Sequence, residues 1–201
     1  MEKELLLDWF LLESTPEVIE ESISKNGKII LKGVVQRANA KNRNGRIYPR
    51  DILEPEVIRY MEKVKDRRAV GTIDHPNTTV PTLADASHII TALEWMGDDL
   101  VGELEVLTTP NGNVLRELLR SGVKVGISSR AVGSVSRRPD GTDEVTSDLE
   151  LIAFDIVADP STHNAFLTPQ TVVEYYEHKQ QSKYSGVNDI ISNIFSVLSE
   201  S

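Results

Sequence analysis

There is no cysteine anywhere in this chain of 201 residues. Its absence removes disulfides, thiol catalysis and thiolate metal sites together, and it suits a reducing compartment. Also missing is any apolar run of membrane-spanning length. The most hydrophobic stretch, Leu5 to Leu12, carries Asp8, follows two glutamates and has no basic region before it, so a secretory signal is not expected. Positive charge is scarce: 22 Lys and Arg stand against 31 Asp and Glu, a formal net charge of −9. That balance argues against non-specific nucleic-acid binding, which is driven by cationic contacts to phosphate. No internal repeat and no sustained coiled-coil heptad pattern is present. What remains is ordinary for a globular protein, at 39% hydrophobic and 26% charged residues. The length provides for one medium domain with a substantial core, plus terminal extensions.

Residues 1–24 read as an acidic, amphipathic N-terminal extension or propeptide. A β-branched run from Lys28 to Val35 predicts a strand, and the polar stretch Ala38 to Gly45 predicts a loop. Ile52, Leu53, Val57, Ile58, Met61 and Val64 recur at helical spacing up to about Lys65. A short strand from Arg68 to Ile73 should deliver His75, and His88–Trp95 with Leu100–Leu107 should form a hairpin around Gly97-Asp98-Asp99. A compact helix over Asn111–Arg120 stops at Gly122. Val123–Val135 and Val145–Val157 form a second strand pair, followed by a helix from about Thr168 to Lys179. Residues 25–178 then make the main domain, and residues 179–201 a polar linker with a C-terminal amphipathic helix. The fold class is α+β, a mainly antiparallel β-barrel core surrounded by helices.

Two short polar segments carry the chemistry. They read Gly71-Thr72-Ile73-Asp74-His75-Pro76 and Gly126-Ile127-Ser128-Ser129-Arg130-Ala131-Val132-Gly133. A serine nucleophile needs a base that takes its proton near neutral pH, and histidine is suited to that. Each segment ends or lines an expected strand, where a rigid frame can present a side chain. A third candidate is Asp155 in the apolar run Leu151–Val157. A carboxylate there is costly unless paired, and both a histidine ring and the arginines Arg130 or Arg46 could pair with it. Asp74 should point away from His75 on an extended strand. Asp74, His75, Asp85 and His88 fit no compact metal-ligand spacing, so no metal or cofactor is expected.

From Lys28 to about Thr168 the chain resembles the prohead core protein proteases of T-even-like tailed phages. The resemblance rests on Asn42-Arg43-Asn44-Gly45-Arg46-Ile47-Tyr48-Pro49, Asp74-His75-Pro76, Gly126-Ile127-Ser128-Ser129-Arg130 with Gly133-Ser134, and Asp155-Ile156-Val157 followed by Asp159-Pro160-Ser161. It implies a serine endopeptidase with a fold similar to the herpesvirus assembly proteases, acting without a cofactor. It implies His75 as base and Ser128 as nucleophile. Asp155 or, as in the herpesvirus relatives, a second histidine, here His88, would be the third member. Ser129 is the runner-up nucleophile, and otherwise would donate its backbone N–H or support the site. Arg130 would position a water near the oxyanion or form a strand-end ion pair. The loop Asn42–Arg46 would line the cleft or cap the following helix.

The resemblance also implies scaffold and major capsid proteins as substrates. It places a homo-oligomer in the core of the prohead, in the host cytoplasm, with no nucleic acid or membrane as partner. That family cleaves after glutamate in Leu/Ile-x-Glu motifs, and this chain carries such tetrads before Ser14, Ser22 and Ser201, making Glu13, Glu21 and Glu200 possible self-cleavage sites. Two other classes compete. A non-enzymatic scaffold component of the prohead could retain the fold, but it would have no need of the His75 and Ser128 pair. A serine esterase would be expected to carry the Gly-x-Ser-x-Gly elbow, and here Arg130 stands at its last position.

Overall fold

The computed structural model describes residues 4–12, 19, 23, 27–42, 44–76, 82–158 and 166–168. The strands are β1 (Glu4–Leu12), β2 (Ile30–Arg37), β3 (Arg46–Ile47), β4 (Val70–Thr72), β5 (Ala86–Met96), β6 (Asp99–Val106), β7 (Val125–Gly133), β8 (Val135–Arg137), β9 (Asp143–Val145), β10 (Glu150–Val157) and β11 (Phe166–Thr168). The helices α1 (Arg50–Lys65) and α2 (Pro110–Arg120) and a short 3-10 turn, Leu83–Asp85, connect them among the described residues. The main sheet runs β10-β7-β1-β11-β2-β6-β5-β4, and β3-β9-β8 form a smaller one. Nearly all neighbours are antiparallel. The exceptions are β1 with β11 and β3 with β9.

Local chemistry sets these elements. The β5–β6 hairpin closes through Gly97-Asp98, where Met96 faces Asp99 and Gly97 takes the positive φ that tight hairpin turns favour. On α1, Leu53, Val57, Tyr60 and Val64 form one buried stripe at helical spacing. Its first backbone N–H, on Arg50, donates to the Asn39 side chain at 3.1 Å. On α2, Thr109 caps the N-terminus by accepting from the Gly112 N–H, and Gly122 ends the helix with φ +75°. The buried core includes Leu31, Tyr60, Ile90, Leu104, Ile127 and Phe154.

The structure corrects two expectations. Residues Glu4–Leu12, read as lying outside the main domain, are a central strand. β1 pairs along its whole length with β7, Leu12 opposite Val125 and Glu4 opposite Gly133, and Leu6 is fully buried. The acidic residues around this segment suggested an extension. Asp8, however, lies buried against the Asn42–Tyr48 loop rather than in solvent. The second correction concerns the barrel. Among the described residues the sheet does not close along a ladder; its edge strands β4 and β10 meet through the bridge Ile73–Ile156, the Asp74 N–H donating to the Ile156 carbonyl at 2.7 Å and the Thr72 N–H donating to the Asp155 side chain at 3.2 Å. The helix expected from about Thr168 to Lys179, the linker and the C-terminal helix lie outside the described residues.

Candidate active site

The candidate site lies at this meeting of β4 and β10. β7 is paired along both edges and buried on both faces, so alternation decides what each residue meets. Ser128 and Arg130 share one face, with Asp155 of β10 directly opposite Ser128. Ser129 points the other way, where its hydroxyl accepts from the Gln36 amide at 2.9 Å. His75 arrives from the far edge. Asp74 adopts a left-handed φ of +59°, a turn that an aspartate tolerates better than most residues, and this swings the chain after β4 towards β10.

The three side chains meet in line. His75 Nε2 lies 3.0 Å from Ser128 Oγ, and His75 Nδ1 lies 3.0 Å from Asp155 Oδ2. Ser128 and Asp155 are fully buried, whereas the His75 side chain keeps 13% of its surface exposed. Asp155 also accepts from Arg130 Nε at 2.7 Å, Arg130 Nη2 at 3.2 Å and the Thr72 N–H at 3.2 Å, while the single Thr72 hydroxyl hydrogen is shared between it at 3.1 Å and the Asp74 carbonyl oxygen at 2.8 Å. Burial by itself would raise the Asp155 carboxyl. The bonds from His75 and Arg130, the Arg130 charge and the Thr72 N–H outweigh it and hold the group below the ordinary carboxylate range.

Each sequence-derived candidate can now be placed. Ser128, His75 and Asp155 come together. His88 does not join them: its Nε2 bonds to the Phe154 carbonyl at 3.0 Å and its Nδ1 to the Ser87 hydroxyl at 2.9 Å. Burial lowers the His88 pKa to about 4, so the ring is neutral and its Nε2–H donates to that carbonyl. It packs so closely on Gly71 that a Cβ there would lie 2.4 Å from His88 Nε2 and 2.0 Å from the Phe154 carbonyl oxygen. Arg130 is fully buried and forms an ion pair with Asp155. Arg46 is not the partner of Asp155. The first N–H of α1 is capped by Asn39 and not by the Asn42–Arg46 loop. Asn42 and Asn44 donate to Asp8, and Asn44 also donates to the Leu7 carbonyl at 2.8 Å. Glu13, Glu21 and Glu200 lie outside the described residues.

Sequence reasoning missed Thr72 and Gln36. Thr72 had a signal, since it stands three positions before His75 in the segment already singled out. Gln36 had none, because it is one polar residue in a strand 93 positions away from Ser129.

An inward-facing serine hydroxyl, an imidazole and a buried ionised carboxylate in line are the components of a proton-relaying nucleophile. Comparison with known proteins points the same way. The prohead core protein protease of Enterobacteria phage T4 is 32% identical over 150 residues, covering 73% of this chain and 71% of that protein. The solved structure of the bacteriophage T4 capsid assembly protease, gp21, superposes with a TM-score of 0.69 at 25% identity, covering 80% of this chain and all of the other. The family model for prohead core protein serine proteases matches residues 8–177, so more than half of β1 lies inside the matched region. By sequence and by structure, this chain belongs to the prohead core protein serine protease family.

Proposed function

We propose that the protein is a serine endopeptidase of phage head maturation, with Ser128 as nucleophile, His75 as general base and Asp155 as the carboxylate that orients the base. The observation that supports this most is the continuous contact from Ser128 Oγ through His75 to Asp155, each link 3.0 Å. An ionised Asp155 only accepts, so Nδ1 carries the ring hydrogen and Nε2 offers its lone pair to the serine hydroxyl. The Ser128 oxygen attacks the scissile carbonyl carbon while its proton passes to Nε2. The imidazolium then gives that proton to the departing amine nitrogen, the C–N bond breaks, and an acyl ester remains on Ser128. Water repeats the sequence on the ester, and the hydroxyl is restored.

The T4 relatives, named as prohead core and capsid assembly proteases, support scaffold and major capsid proteins as substrates and the prohead interior, in the host cytoplasm, as the place of action. Cleavage falls after glutamate in Leu/Ile-x-Glu motifs, including the protein's own Glu13, Glu21 and Glu200. A homo-oligomer forms in the prohead core. Residues 25–178 together with β1 make the catalytic domain, and residues 179–201 a tether. The test is incubation of the full chain with a Leu-x-Glu-Ser peptide and product mapping by mass spectrometry. Wild type should cut after the glutamate and Ser128→Ala should not. A wild type that leaves the peptide whole would favour a non-enzymatic scaffold component.

A further inference from the structure

Among the described residues β10 is an end strand of the main sheet, so backbone groups on its outer edge must find partners outside a ladder. Near its start those partners come from one face of α1. Glu56 Oε2 accepts from the Leu151 N–H at 3.2 Å, and Lys63 Nζ donates to the Ile152 carbonyl oxygen at 3.3 Å. Between them Tyr60 sets its ring edge-on to Phe154, with centroids 5.4 Å apart, and Lys63 Nζ lies 5.3 Å from the centre of the Tyr60 ring. Positions 56, 60 and 63 share one stripe of a helix, so these contacts form a single row along β10. Glu56 is the unusual member. It is only 5% exposed and stands among Leu53, Val57, Tyr60 and Val64 on the buried side of α1. Arg59 Nη1 lies 2.8 Å from its Oε1, which leaves Oε2 for Leu151. A carboxylate is too costly to bury as mere filling, so its backbone contact is the reason to look further.

The row falls on the register shift of the β7–β10 ladder. Leu151 is opposite Ala131 and Ala153 is opposite Arg130, which leaves Ile152 as an extra residue without a counterpart. Everything downstream, Asp155 opposite Ser128 included, depends on the extra residue being taken up at Ile152 and nowhere else. Resting on the protease reading above, we infer that Glu56 and Lys63 are positioning residues for the reaction, pinning the bulge in β10 so that Asp155 stands where it meets His75. Glu56 holds the N–H of the last residue before the shift, and Lys63 holds the carbonyl of the extra residue itself. Moving the extra residue along the strand would reorient the Ile152 carbonyl and break the row, so the α1 contacts favour this register over its neighbours. The effect then reaches Asp155 through the strand, about 10 Å from Ile152.

The test joins steady-state kinetics on a Leu-x-Glu-Ser peptide to proton NMR of the His75 Nδ1–H, whose resonance reports the bond to Asp155. Both are measured on the full chain, well below the melting temperature of each variant. Glu56→Ala should lower kcat by about 10- to 100-fold with little change in KM, as a misplacement near 1 Å does, and should shift or broaden the Nδ1–H resonance. Glu56→Gln, which still accepts from the Leu151 N–H, should restore most of both. Lys63→Met, which keeps the stem and loses the donor, should act in the same direction as Glu56→Ala. A folded Glu56→Ala that melts earlier but keeps the kcat and the resonance of wild type would overturn the inference and leave the row a brace for stability alone. If Glu56→Ala does not fold, Lys63→Met decides by the same two readouts, and wild-type values there would also overturn it. A wild type that cleaves nothing would remove the protease reading; the resonance alone would then decide whether Glu56 and Lys63 place Asp155 against His75.

Discussion

Ser128 and Asp155 stand directly opposite each other across the β7–β10 ladder, and a single ladder register therefore sets the spacing of two of the three candidate catalytic groups. The register shift between Leu151 and Ala153 lies just upstream and locks this alignment. A slip of one residue would turn Asp155 into the opposite face and bring Phe154 or Ile156 to Ser128. His75 is held separately, by the Asp74 turn and the bridge between β4 and β10. The site is thus assembled from one rigid ladder and one contact between sheet edges.

Ser128→Ala should abolish cleavage with the fold intact, a loss of about four to six orders of magnitude in turnover. Ser129→Ala should behave differently. Its hydroxyl faces Gln36 on the other side of β7, so the variant should keep turnover and lose roughly 1 kcal/mol of stability. Kinetics and thermal melts of both variants check this.

Asp155→Asn should lower turnover by about 10⁴-fold through loss of the correct imidazole tautomer. His88→Gln should keep near-normal turnover at a permissive temperature, because His88 bonds to the Phe154 backbone and not to His75. An active Asp155→Asn beside an inactive His88→Gln would reassign the third member.

Acid should weaken the fold through His88. Its folded pKa of about 4 lies below the ordinary 6.5, so its contribution is complete above 6.5 and is lost as the pH falls towards 4. Relative to His88→Gln, wild type should lose about 2 kcal/mol between pH 7 and pH 5. Asp8 works in the opposite direction, since burial raises its carboxyl above the ordinary value, and the paired comparison cancels it. Denaturant melts of the two proteins at both pH values measure the difference.

Deleting residues 1–12 should leave the protein insoluble. The deletion strips Leu6 from the core, removes Asp8 from Asn42 and Asn44, and exposes the edge of β7. Wild type cut after Glu13 should instead retain residues 1–13 through gel filtration and release them only in denaturant. A soluble, active deletion would show β1 to be dispensable.

Self-cleavage after Glu13 should be intermolecular. Leu12 lies opposite Val125, so the chain leaving β1 starts about 10 Å along the ladder from Ser128. The processing rate should rise with concentration, and wild type should cut added Ser128→Ala chain. A first-order rate independent of dilution would show that β1 leaves the sheet and presents its own end.

Much of this was legible in the residues. Gly97 marked the β5–β6 hairpin, Thr109 and Gly122 bounded α2, and the apolar stripe on α1 announced its buried face. Asp155 in an apolar strand implied a partner, because a lone buried charge is too costly. β1 was not legible. Its hydrophobic residues carry an aspartate and sit among acidic ones, and the partners that make Asp8 tolerable lie more than thirty positions away in the Asn42–Asn44 loop.

By itself the sequence determined the local elements and the kinds of chemistry available, since helix periodicity, caps, turns and the price of a buried charge act over a few neighbouring residues. Only the tertiary structure decided which of Asp155 and His88 touches His75. The residues around His75 had singled it out as the candidate base, but none of them told whether Asp155 or His88 stands behind it. The Asp74 turn carries His75 across the gap to β10, while the β4–β5 pairing buries His88 against Gly71 and Phe154. The same holds for Arg130, whose ion pair with Asp155 exists only because strand register sets its side chain diagonally against that carboxylate. Register and edge contact are properties of strands far apart in sequence, and local residue preferences do not encode them.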